Sequence, residues 1–214
     1  MKFNISIQES NGTIVQKILS ALKDDVTKVI SSVLPKITND VKELVAEALR
    51  QEPEYSSLLG GTLKAEFGIY EASSVDRIVQ ALADTIKVEQ QRVEITNRGL
   101  KGGFSLTMMK TDDMDGIIYI DSASVVDNKN GYVLPWLEWL LYKNNQPIVR
   151  NYAVNYTTST YSRSGLAIMV PDKSNWRVPP EFAGSVRNNW TTRAISRTDK
   201  AIYNIIMENI RSSL

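Results

Sequence analysis

Val15 to Ala48 reads VQKILSALKDDVTKVISSVLPKITNDVKELVAEA, in which Val15, Ile18, Leu19, Leu22, Val26, Val29, Ile30, Val33, Ile37, Val41, Leu44, Val45 and Ala48 recur at steps of three and four. Apolar residues so spaced share one face of an α-helix, which makes this stretch one continuous amphipathic stripe. Pro35 falls inside it. Proline has no amide hydrogen and crowds the preceding turn, so a kink or break is expected there, with two collinear helices as the alternative. At about 1.5 Å per residue the element is roughly 50 Å long. That exceeds what a compact globule of this size requires, so part of it is expected to pack on a neighbour. Upstream, Phe3, Ile5 and Ile7 alternate with polar residues before a polar stop at Ser10, Asn11 and Gly12.

Pro53 closes the stripe, and EPEYSSLLGGTLKAEFGI over 52–69 reads as a turn-rich bend in which Gly60 and Gly61 lead into extended chain. Ser74 as N-cap and Asp76 in the first turn open a short helix through Val79, Leu82, Ala83 and Ile86. From Val88 to Asp127 the segments VEIT, FSLTMMK and IIYIDSASVV are rich in strand formers, and RGLKGG and DDMDG separate them as turns would. A meander of strands is expected. Pro135 opens a short helix over Leu134–Tyr142, two further strands follow at Ile148–Tyr156 and Leu166–Val170, and a second amphipathic helix runs from about Arg187 to Arg211. The pattern predicts one α+β domain over residues 1–214, with a mostly antiparallel sheet flanked by the long N-terminal helix and a C-terminal helix.

Composition narrows function chiefly by exclusion. The 214 residues are 43% hydrophobic and 23% charged with a formal net charge of +1, so the chain has ordinary globular composition and no strong basic field for nucleic acid. It contains no cysteine and no histidine. Thiolate chemistry, cysteine metal sites, Ser/His/Asp and Cys/His arrangements are therefore excluded, together with the commonest transition-metal ligand. The N-terminus lacks the apolar core of a signal peptide, and no apolar run approaches the roughly 20 residues that span a bilayer, so a soluble protein made in the cytosol with no membrane partner is expected.

Asp112, Asp113, Asp115 and Gly116 invite a calcium reading, but setting Gly116 at the sixth loop position puts Thr111 and Ser122 where the terminal carboxylates belong. A solvated hairpin turn is the expectation. Arg98, Gly99, Lys101, Gly102 and Gly103 form a candidate flexible contact loop without the spacing of a phosphate-binding motif. The aromatics invite a stacking platform, but Trp136, Leu137, Leu140 and Leu141 occupy both sides of one short helix, which points to packing. Trp136, Trp139, Trp176, Pro179, Pro180, Phe182 and Trp190 are therefore candidate core or interface anchors. Two successive prolines in Arg177–Phe182 exclude helix and inner strand, leaving a rigid extended segment with Phe182 as a plug. No catalytic residue, metal or cofactor is expected.

The order of parts resembles the neck and tail-completion proteins of tailed bacteriophages. The resemblance rests on Pro53, Tyr55 and Gly60-Gly61-Thr62-Leu63, on LPWLEWLL at 134–141, on SGLAIM at 164–169, on WRVPPEFAG at 176–184 and on NNWTTRAI at 188–195. It implies a structural virion subunit that assembles as a ring, often sixfold, around the DNA channel. Such a ring would contact a head connector or stopper protein on one side and a tail tube or terminator protein on the other, while genomic DNA passes through without sequence-specific binding. The chain departs from the family by a strand-rich middle insertion at about 85–130. A tail-terminator ring is the nearest alternative. More distant ones are a virion hydrolase using Asp113 and Asp115, and a nucleic-acid-binding module using Arg98, Lys101 and the basic C-terminal helix.

Overall fold

The long stripe forms a single helix, α1 (Asn11–Gln51), in a computed structural model that describes residues 9–127 and 130–213. The alternation at Phe3, Ile5 and Ile7 lies outside the described residues. Ser10 Oγ accepts the Thr13 amide and caps the start. The helix stops at Gln51 because Pro53 drives Glu52 into an extended conformation. Pro35 does not break it. Its ring sits on the solvent side, where water can take the carbonyl it leaves unpaired, while Val33, Ile37, Val41, Val45 and Leu49 are buried on the opposite face. A proline inside a helix costs roughly 3 kcal/mol, and each of those side chains contributes about 1.5–3 kcal/mol on burial, so packing decides.

The expected bend after Pro53 is instead a pair of helices, α2 (Pro53–Gly60) and α3 (Thr62–Phe67). Pro53 supplies the first turn of α2, and Ser57 joins the two by accepting the Gly61 amide on its carbonyl and the Leu63 amide on its hydroxyl. The next helix, α4 (Ala72–Asp84), begins ahead of Ser74 with Glu71 as N-cap. It buries Val75, Ile78, Val79, Leu82 and Ala83.

Among the described residues the strands are antiparallel, but they form three separate two-stranded ribbons rather than one meander. The first joins β1 (Lys87–Thr96) to β2 (Gly99–Thr107) and lies along the middle of α1, where Ser31 Oγ donates to Gln90 Oε1 at 2.9 Å. The second joins β3 (Val125–Asp127) to β4 (Tyr132–Leu134), and the third joins β5 (Pro147–Tyr156) to β6 (Ala167–Arg177). The DDMDG turn and most of the strand expected at IIYIDSASVV give way to α5 (Thr111–Ile118) and a short 3₁₀ turn at Asp121–Ala123, and only its end, Val125 and Val126, is strand, in β3. Asp113 accepts the Lys110 amide at the head of α5, and Met114, Ile117 and Ile118 are buried at i, i+3 and i+4. Helical spacing of the buried residues overrides their strand propensity.

Between β4 and β5, α6 (Trp136–Tyr142) matches the expected short helix. The C-terminal helix is divided into α7 (Trp190–Ser196) and α8 (Asp199–Arg211). Thr198 marks the joint, its hydroxyl donating to the Ile195 carbonyl at 2.8 Å, and Asn189 caps α7 by accepting the Thr192 amide at 3.0 Å. One hydrophobic cluster links the second half of α1 to α4, α6, Trp176, Val178, Trp190 and Ile202. The first half of α1 projects beyond it, with Val15 50% exposed, Ile18 54% and Leu22 46%.

Gly184 allows the loop before α7 to approach the end of α6, where its amide donates to the Leu140 carbonyl at 3.0 Å. A β-carbon there would lie 2.5 Å from Leu140 O and 2.7 Å from Asn189 Cβ, distances that neither backbone nor cap can relieve cheaply. Gly184→Ala is expected to destabilise the fold by about 1–3 kcal/mol, the range for overpacking, measured as a lower urea midpoint at unchanged m-value.

Candidate interaction surfaces

Trp136 and Trp190 are fully buried and Trp176 nearly so, which places three of the expected anchors in the core. Each indole N–H meets an acceptor. Trp136 donates to Ser122 O at 3.0 Å, Trp176 to Glu66 Oε2 at 3.0 Å, and Trp190 to Leu49 O at 2.9 Å. The last bond satisfies one of the carbonyls that the end of α1 would otherwise leave unpaired. Phe67 sits between two of these rings, with centroids 6.2 Å from Trp136 and 6.3 Å from Trp176. Trp139 and Phe182 are half-buried against the same core.

The extended segment expected at Arg177–Phe182 turns instead. Pro179 O accepts the amides of Phe182 and Ala183, Pro180 is exposed, and the fully buried plug is Val178. The proposed flexible contact loop is also mostly strand. Gly99, Lys101 and Gly103 pair with Thr96, Glu94 and Gln91 in the β1–β2 hairpin, leaving Asn97 and Arg98 as the turn. Gly102 serves close packing, since a β-carbon would stand 3.2 Å from Val93 Cγ2, whereas at Gly103 it would meet only the movable end of the exposed Gln91 side chain. Arg98 and Lys101 remain exposed.

Sequence reading missed a cluster of charges at the joint of α1, α2 and α7. Glu52 and Glu54 are buried, and Arg193 reaches both, pairing closely with Glu54 Oε1 and placing Nε 3.8 Å from Glu52 Oε2. Arg197 Nη1 stands 2.8 Å from Glu52 Oε1, outside hydrogen-bond geometry, and Glu54 Oε2 accepts no hydrogen bond from the described residues. Burial raises the Glu54 carboxyl above its ordinary range, and the neighbouring Glu52 charge adds to this while Arg193 opposes it. The four residues are 139 or more positions apart across the pair of segments, so no local motif announces them. The only sequence signal is two acidic residues flanking Pro53 and two arginines one helical turn apart.

A second missed feature is an open cleft of about 780 Å³ between α3, β4 and the β5–β6 ribbon. Its walls include Phe67, Tyr132, Tyr152, Met169 and Trp176, with Arg163 among the charged residues. Glu66, which also lines the cleft, accepts from both Tyr156 Oη and Trp176 Nε1, tying β5 and β6 to α3. Partial burial and the Glu66 contact raise the Tyr156 phenol above its ordinary value. Gly68, at φ +73°, caps α3 beneath Arg163, whose Nε would stand 3.3 Å from a β-carbon there. Arg163 makes no ion pair or hydrogen bond among the described residues.

No family model, curated protein or solved structure matches the chain. Among the described residues, no group of three or more acidic side chains could hold a metal ion, and no helix is long and apolar enough to cross a membrane. Asp113 is engaged in capping α5, and Asp115 is exposed on the same helix. What the geometry offers is two unlike surfaces, the projecting half of α1 and the aromatic cleft.

Arg193→Ala leaves Glu54 buried without its cation, a loss expected to cost about 3–5 kcal/mol at pH 7. Because the folded-state pKa of Glu54 is raised, the protonated form favours folding. The variant should recover stability as pH falls through that raised pKa and keep the gain below the ordinary value of 4.5. Glu54→Gln with Arg193→Met should remove this pH dependence. Urea midpoints of the three proteins between pH 4 and 8 test the assignment, and a parallel pH response in both variants would refute it.

Proposed function

We propose that this chain is a non-enzymatic structural subunit of a tailed bacteriophage, forming a ring at the head–tail junction that joins the head connector to the tail around the DNA channel. The observation that carries the reading is the first half of α1. A row of aliphatic side chains about half exposed, on a helix that outruns its own core, suits a subunit whose fold is completed by neighbours. Three of the four tryptophans, Trp136, Trp176 and Trp190, are engaged inside the subunit rather than offered as a stacking platform, each with its indole N–H hydrogen-bonded.

Charge is compatible with this role. A formal net charge of +1 supplies no dense basic lining, and a channel that grips few phosphates lets the genome slide. In this reading the protein is made in the host cytoplasm and resides in the virion neck, against a connector or stopper protein on one face and a tail tube or terminator protein on the other.

Native mass spectrometry of the purified protein is expected to give one discrete closed oligomer. Particles assembled without it should accumulate as filled heads beside finished, unattached tails in electron micrographs. Overlong tails would instead assign the subunit to tail termination, and a stable monomer at high concentration would count against the ring.

A further inference from the structure

We infer that the ring closes head to tail, with the projecting half of α1 from one copy seated in the aromatic cleft of the next; this rests on the ring reading above. The two surfaces differ in shape. One is a convex rod carrying Val15, Ile18 and Leu22, and the other is a concave cleft of about 780 Å³ lined by Tyr132, Tyr152 and Met169. No chain seats its own helix tip in its own cleft, since Val15, Ile18 and Leu22 are exposed and none of them is among the residues that line it. A pair of unlike faces on one subunit generates a heterologous contact, the kind that rotation closes into a ring.

Spacing and charge favour the same occupant. Val15, Ile18 and Leu22 stand at i, i+3 and i+7, the anchor spacing of a helix laid in a groove. Asp25 continues that row one turn on, held only by a 4.0 Å contact to Lys28 between two well-exposed side chains. Arg163, at the cleft, has no partner among the described residues. Seating Leu22 against Met169 brings the Asp25 carboxylate toward the Arg163 guanidinium, among the described residues the one cation in a lining whose carboxylates, Glu66 and Asp127, are already engaged.

The chain has no cysteine, so engineered thiols report contacts without background. Leu22→Cys and Met169→Cys are both at exposed positions and should leave the far-ultraviolet circular dichroism unchanged. Mixed and gently oxidised, the two full-length variants are expected to form a covalent dimer at least tenfold more efficiently than either alone. The doubly substituted chain should give a ladder ending at the oligomer number. Asp25→Arg or Arg163→Asp alone should shift assembly to at least tenfold higher protein concentration, and the two together should restore it. An intact oligomer without the mixed crosslink, or with Leu22→Cys linking efficiently to itself, overturns the head-to-tail contact and leaves the ring. A wild-type protein that stays monomeric overturns both.

Discussion

The last four turns of α1 are the surface against which the remaining elements are placed. Ile37, Val41, Val45 and Leu49 are fully buried there, and their covers come from α4, α7, α8 and the long β1–β2 ribbon. At the end of the helix two polar demands are met by the same distant segment. The Leu49 carbonyl takes the Trp190 indole hydrogen, and the carboxylates that follow take Arg193. A helix end surrounded by apolar side chains needs such partners, because water cannot reach it. Farther up, Asn209 on α8 donates to Asp40 and accepts from Lys36, so the C-terminal helix is fixed to α1 by polar contacts as well as by Ile202.

The legible parts of the fold were those whose signals are local and periodic. Residues 15–48 carry their stripe in plain view, and α6 is announced by Pro135 and by apolar residues on both sides of a single turn. Propensity failed where burial pattern outweighed it. Ile117 and Ile118 belong to α5 because they and Met114 meet the core at helical spacing, although their side chains are good strand formers. Glycine was ambiguous in the same way. Gly102 and Gly103 read as flexibility, yet both lie in β2, and at Gly102 Val93 leaves little room for a side chain.

The candidate surfaces were legible only in part. Excess apolar length on α1 is a sequence property and points to a neighbour. The cleft is not, since Phe67, Tyr132, Tyr152, Arg163 and Trp176 come from five separate stretches that only the packing of α3 against the β5–β6 ribbon brings together. Glu66 illustrates the limit. In sequence it is one acidic residue on a short helix, whereas in the fold it receives hydrogen bonds from residues 90 and 110 positions away. The tryptophans drew notice as aromatics, but their polar edges prove as consequential as their rings.

The separation between Leu49 and Trp190 also sets an order of events during synthesis. The 141 positions that divide the indole from its acceptor take on the order of ten seconds to translate at roughly 5–20 residues per second. Through that interval the nascent α1 has an apolar face without its C-terminal covers, while the three ribbons, each made of strands close in sequence, can pair at once. The emerging chain is therefore a sticky rod whose hairpins, marginal on their own, await the surfaces they pack against. In a cell making many copies, the time before α7 and α8 emerge is when chaperone capture or premature association between neighbouring nascent chains competes with folding.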